Sequence, residues 1–245
     1  MTQKQSKSSD TGREGKSSKF RTRSIIALKL ALMTVGLSLL GLFMAVVAYK
    51  FIPVTDTQFM RTMSAQNEVG VNQKWVPLDK ISPNLALAVV SSEDNLFTKH
   101  NGFSWNAIKQ AWNKNATSKK KHGGSTISQQ TAKNVFLSNR RTWLRKGLEA
   151  AATVMIEVVW GKERIMEVYL NVVEFGPGVY GAEAASQKYF HHSAQSITKS
   201  EAALMAAVMP SPVRMKIASP SAYVCKRQQK IMSLMRKIGS VKYNQ

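Results

Sequence analysis

LALAVVSSEDNLF, residues 85–97, carries an apolar run straight into two adjacent carboxylates, Glu93 and Asp94, and then returns to Leu96 and Phe97. At the helical period, Ala86, Val89, Val90, Leu96 and Phe97 share one face. Glu93 falls inside that face, while Asp94 turns about 100° away. A carboxylate on a core-facing stripe is costly unless it is paired, hydrogen-bonded or set at a cleft. The stretch therefore predicts a buried helix over 84–98 that ends either in a structural ion pair or in a reactive acid.

Working outward, the chain of 245 residues has room for one large domain or two small ones. Residues 30–49, LALMTVGLSLLGLFMAVVAY, hold no charge, and Lys29 and Lys50 bracket them. At about 1.5 Å per residue such a run spans a bilayer core, which predicts a transmembrane helix over 25–51. A cleaved signal peptide fits less well, because the run is long and no small-x-small site follows it. Residues 1–24 read as a basic, disordered cytoplasmic tail, 52–82 as a linker beside the membrane, and 83–245 as the main domain. Up to Lys29, eight Lys or Arg face Asp10 and Glu14. A basic flank of this kind stays in the cytoplasm and sends the rest outside. That segment carries six of the formal +21, which leaves +15 elsewhere. Outside the cytoplasm this charge points to anionic lipid or a phosphorylated substrate rather than nucleic acid. Cys225 is the single cysteine, so no internal disulfide forms.

From Pro83 onward the periodicity predicts helices near 84–98, 104–113, 126–137, 143–160, 162–171, 178–190, 199–208 and 221–238. Thr198 followed by Glu201 is a capping box, Gly176-Pro177-Gly178 a turn, and a short strand is expected around Lys74–Leu78. The basic segment 115–124 is expected to be mobile. His100, His122, His191 and His192 lack metal-ligand spacing. SITK (196–199) matches the SxxK acylation motif, but without its partner motifs it reads as coincidence.

Three constellations remain. In HGGSTISQQTAKN (122–134), Thr126 and Gln129 form a capping box behind two glycines, and Gln129, Gln130 and Lys133 share a face. A glycine turn at a helix N-terminus favours anions. The segment suits a phosphate or pyrophosphate, or else is an ordinary capped loop with a solvated lysine. In NRRTWLRKGLEAAATVMIEVVW (139–160), Glu149 and Glu157 are the only charges after Lys146. The buried helix needs cations nearby, and Arg141, Arg145 and Lys146 lie just upstream. A charged cleft and a core ion pair both satisfy this pattern. In KERIMEVYLNVVEFGPGVYG (162–181), Ile165, Val168, Tyr169 and Val172 form a core face, and Asn171 and Glu174 suit structural roles.

These segments, in this order, resemble the glycosyltransferase domain of the peptidoglycan polymerases, found in class A penicillin-binding proteins and in a monofunctional form. EDxxFxxHxG is matched by Glu93, Asp94, Phe97, His100 and Gly102. GGSTITQQ is matched by 123–130 with Ser128 for the second Thr, RKxxE by Arg145, Lys146 and Glu149, and KxxIxxxYLN by Lys162, Ile165, Tyr169, Leu170 and Asn171. A looser fifth motif begins at Arg227, and the likeness covers roughly 80–235. His191-His192 depart from the family pattern. The resemblance implies a mainly α fold: a lysozyme-like glycosyltransferase domain with a smaller membrane-proximal lobe, preceded by one transmembrane helix. It implies polymerisation of lipid II with inversion, Glu93 as general base and Glu149 as the second essential carboxylate. Lys133 and Arg141 match pyrophosphate-contacting cations, and Ser125, Thr126, Gln129, Gln130, Arg145 and Lys146 complete the implied substrate-binding set. No cofactor is required, with a divalent Mg or Mn at the pyrophosphate left open. The implied partners are lipid II, the growing glycan, the bacterial inner membrane and other wall-synthesis proteins.

Overall fold

A single long helix, α1 (Thr11–Phe51), opens the computed structural model, which describes residues 11–117, 124–139 and 142–243. Its Arg23–Phe51 portion is, among the described residues, the one helix long and apolar enough to cross a membrane. Leu28, Leu32 and Leu37 on it are exposed, which suits a lipid solvent. The helix begins at Thr11, inside the stretch that composition reads as a disordered tail. Once an apolar segment has met the cost of nucleation, flanking Lys, Arg and Ser residues extend a helix cheaply. The segment 118–123, within the stretch expected to be mobile, lies outside the described residues.

The chain divides into two compact units, Met1–Ala45 and Val46–Gln245. Within the second, Trp160 Nε1 donates to Val46 O at 2.7 Å, and Arg164 donates to Tyr49 O (2.7 Å) and Ile52 O (2.6 Å). The Arg164 bonds satisfy carbonyls that the end of α1 leaves open. A short helix follows, α2 (Gln58–Gln66), in the stretch expected as linker. Thr57 caps it by accepting from the Met60 amide, and Phe59 and Met60 are buried. Polar residues outnumber apolar ones there, so periodicity alone does not reveal it.

The centre of the unit is a helix trio. α3 (Pro83–Glu93) packs on α9 (Lys199–Val208) and α10 (Ala222–Ile238). Pro83 sits at the first turn of α3, where its missing N–H costs nothing. Residues Leu85 to Ser91 are all buried, so α3 is enclosed on every side rather than along one stripe. On α9, Ala202, Ala203, Ala206 and Ala207 have no exposed surface and let its neighbours approach closely. The predicted capping box is present, with Thr198 and Glu201 bonding each other's backbone N–H. Each fully buried Val, Leu or Ile here contributes about 1.5–3 kcal/mol.

A second layer positions the cleft. It comprises α5 (Ile127–Phe136), α6 (Trp143–Val159) and α7 (Gly161–Val172), with α4 (Trp105–Thr117) preceding them in the chain. α5 packs on both α6 and α7. Gly161, at φ +74, breaks what would otherwise be one rod from α6 through α7. No strand forms over the expected Lys74–Leu78, which ends at a 3₁₀ turn starting at Leu78; β1 (Asn72–Gln73) lies just before it, parallel to β3 (Val179–Tyr180), which pairs antiparallel with β2 (Glu174–Gly176). Because Val179 and Tyr180 pair as strand, α8 (Ala182–Phe190) starts later than the expected 178. Asn171 proves structural, bonding both the N–H and the C=O of Val76 through its side-chain amide.

Candidate active site

The helix carrying Glu93 ends at that residue, not at 98 as periodicity suggests. Asp94 breaks it. As C-cap it leaves helical geometry at φ −158 and ψ 78. It is also the more deeply buried of the pair, at 7% exposure. Its carboxylate accepts the Ile127 amide at 3.1 Å and His100 Nε2 at 3.0 Å. Glu93 is half-buried and takes Gln130 Nε2 on one oxygen (3.1 Å) and the Ser92 hydroxyl on the other (3.3 Å). Adjacent carboxylates thus separate: Asp94 is held by the frame, and Glu93 faces the cleft wall.

That wall is α5. Thr126 accepts the Gln129 amide, and Gln129 Oε1 accepts the Thr126 N–H, closing the predicted capping box. The Thr126 hydroxyl donates to Gly102 O at 2.6 Å. Gly102 sits at φ +85, and a β-carbon there would lie 2.8 Å from Thr153, so the first motif's glycine is needed for this approach. The anion held by the Ile127 amide at the α5 N-terminus is the Asp94 carboxylate. Ser128 has no exposed surface, and its hydroxyl donates to Glu157, whose carboxylate also accepts Lys162 Nζ at 2.6 Å. The Lys162 ammonium in turn lies 4.7 Å from the Phe97 ring centroid. The hydroxyl that Ser128 shares with Thr therefore ties α5 to α6.

Facing α5 across a cavity of about 320 Å³ is the start of α6. Ser125, Gln129, Gln130, Lys133, Arg145, Lys146 and Glu149 line it together with Ser138 and Asn139. Seven residues of the implied set thus meet in one space; Glu93 does not line it but is tied to it through Gln130. Glu149 is only 3% exposed, with Arg145 Nη1 at 2.7 Å from one oxygen and Lys146 Nζ bonded to the other. One turn of helix brings all three onto one face, as the spacing predicts. The Lys133 ammonium lies 4.9 Å from the centroid of the Phe59 ring. Thr126 does not line the cavity, its hydroxyl being spent on the cap and Gly102. Arg141 lies outside the described residues.

Among the described residues no three His, Cys, Asp or Glu cluster, and both oxygens of the one carboxylate lining the cavity already face cations. Elsewhere, His192 bridges Glu201 (3.1 Å) and the Ser193 carbonyl (3.0 Å), which makes it a joint between α8 and α9. Sequence reasoning missed the roles of Asp94, His100, Glu157 and Tyr169. The last two had a signal: an acid in an otherwise apolar helix, and a phenol on a core face, each needing a partner.

Comparison with known proteins gives consistent results. The transglycosylase family profile matches residues 58–236. A biosynthetic peptidoglycan transglycosylase from Bdellovibrio bacteriovorus is 53% identical over 193 residues, covering 77% of each chain. Those of Caulobacter vibrioides and Cronobacter sakazakii are 47% and 44% identical, covering 87% and 91% of this chain and 92% and 95% of their own.

Proposed function

The chain belongs to the transglycosylase family, and from that premise we infer that its cleft polymerises lipid II into β-1,4-linked glycan. The observation that carries this reading is a half-buried carboxylate, Glu93, joined through Gln130 to a cavity walled by Lys133, Arg145 and Lys146. The acceptor's GlcNAc 4-hydroxyl attacks C1 of the donor MurNAc. The new bond joins O4 to C1 on the face opposite the leaving group, so the α-linkage inverts. The hydroxyl proton passes to Glu93, and the C1–O electron pair leaves with undecaprenyl pyrophosphate. General base catalysis of this kind contributes about 10²–10⁴-fold. Cations fixed beforehand around the departing charge contribute a further electrostatic share. Glu149 holds Arg145 and Lys146 in place and keeps their charge balanced before substrate arrives. Lys133 completes the pyrophosphate side, and Arg141 is assigned to it by motif resemblance alone.

Trp143 and Leu144 are 93% and 76% exposed beside Arg145 and Lys146. An apolar step next to a cationic rim suits a donor with a lipid tail and a pyrophosphate head. The Arg23–Phe51 helix serves as a single-pass anchor in the bacterial inner membrane. Its basic flank keeps the N-terminus cytoplasmic and the catalytic domain outside. Neighbouring wall-synthesis proteins are the partners such a site meets there.

Incubation of purified protein with labelled lipid II, followed by sizing of the products, tests the reading. Growing, lysozyme-sensitive strands are expected. Shortening of preformed glycan with no growth from lipid II would assign the cleft to hydrolysis instead.

A further inference from the structure

Tyr169 has no exposed surface, and no step of the transfer described above uses it. It lies on α7 beneath the cleft wall. Its hydroxyl donates to Gln130 Oε1 at 3.1 Å, and the same amide's Nε2 donates to Glu93 Oε2 at 3.1 Å. An amide has two ends of opposite polarity. Turned over, Gln130 would set its oxygen against a carboxylate, an arrangement that repels. The productive orientation leaves Oε1 pointing into the protein, where an unmet acceptor is costly. Tyr169 is the donor that meets it.

We propose that Tyr169 is a positioning residue for glycosyl transfer, locking the Gln130 amide so that its Nε2 holds Glu93 in the rotamer that meets the acceptor hydroxyl. This rests on the reading of Glu93 as the general base. Glu93 is the last residue of α3 and only half-buried. A glutamate so placed samples several rotamers, and fixing it costs side-chain entropy. Its other contact, the Ser92 hydroxyl at 3.3 Å, comes from the adjacent residue and moves with it. Gln130 is anchored on a helix that Asp94, Thr126 and Ser128 already hold at its first turn. Burial, and after it the charges of Glu93 and Asp94, raises the Tyr169 phenol well above its ordinary value. The phenol therefore remains protonated and available to donate.

Tyr169→Phe removes the hydroxyl and keeps the ring. Steady-state polymerisation of labelled lipid II is measured for wild type, Tyr169→Phe, Gln130→Ala and the double variant, with thermal midpoints for each. Tyr169→Phe is expected to lower kcat about three- to tenfold with KM unchanged, because orientation of a reacting group is lost and binding is not. In the Gln130→Ala background the same change is expected to cost nothing further, since the relay is already cut. Wild-type kcat in Tyr169→Phe, or an equal loss in both backgrounds, overturns the proposal. Should Tyr169→Phe fail to fold, Gln130→Asn decides. Its amide is one methylene short and reaches Tyr169 or Glu93 but not both, so kcat is expected to fall, and an unchanged kcat overturns the relay. A wild type that makes no polymer would remove the base assignment as well, whereas normal polymer from Tyr169→Phe removes only the relay.

Discussion

Glu149 and Glu183 are buried to nearly the same depth, at 3% and 5% exposure, yet their surroundings differ in kind. Glu183 accepts the Ala194 amide at 2.8 Å, Gln187 at 3.1 Å and Lys74 at 3.4 Å, and it lines none of the cavities described above. Its bonds tie α8 to the turn after it and to the chain before α3. Glu149 bonds two long cations from its own helix, and all three face a cavity. Arg145 and Lys146 keep N–H groups free to turn toward an incoming phosphate, whereas the Ala194 amide cannot move without unfolding its turn. Burial alone does not separate a structural acid from a reactive one. The mobility of its partners, and the space in front of them, does.

Short of losing the base itself, the largest effect is expected at Glu149. Glu149→Gln leaves Arg145 and Lys146 without their counter-charge, and polymerisation should fall about 10²-fold or more. Unfolding stability should fall only by about 1–3 kcal/mol, because the freed cations reach the cavity. If the rate survives, the contrast between the two acids is broken.

Glu183→Gln should cost a similar amount of stability without the loss of turnover. Stability drops by about 1–3 kcal/mol in denaturant titration, while turnover per folded molecule stays at the wild-type level. A large loss of turnover with unchanged stability would place Glu183 in the chemistry.

The pH dependence sharpens the structural side. Burial pushes the Glu183 carboxyl up, but the Ala194 amide, Gln187 and Lys74 together outweigh it, so it lies below the ordinary value of 4.5. The folded state therefore releases this proton more readily than the unfolded chain. The stability so gained is present above 4.5 and is lost as pH falls through the folded value. His192 runs the other way. The Ser193 carbonyl, and after it Glu201, raises it above 6.5, so its contribution is complete below 6.5 and is lost as pH rises through the folded value. Urea midpoints of wild type against Glu183→Gln should converge in acid, and those of wild type against His192→Gln should converge in base.

The smallest effect is expected at Ser128. Ser128→Ala removes one donor from Glu157 but leaves Lys162, and should cost about 1 kcal/mol. Ser128→Thr retains the hydroxyl and should cost less. Thermal midpoints of both check the order.

Much of this layout was legible beforehand. Period and caps placed the helices from Pro83 onward, because Thr126–Gln129 and Thr198–Glu201 signal their own starts. The cluster of Arg145, Lys146 and Glu149 followed from one turn of helix. The end of α3 was not legible, because the residues that pull Asp94 out of the helix, His100 and Ile127, act through tertiary contact. Nor was the direction of the α5 N-terminus, whose anion is supplied from a loop more than thirty residues earlier. The sheet escaped because its strands are two or three residues long, below the length at which alternation can be read.

The account rests most heavily on Glu93. Wild type and Glu93→Gln, both purified in detergent, are given the same labelled lipid II, and products are resolved by size beside a thermal unfolding curve for each. Long strands from wild type alone, with closely similar midpoints, are the predicted result. Polymer of equal length and rate from Glu93→Gln would contradict it and leave the cleft without its base.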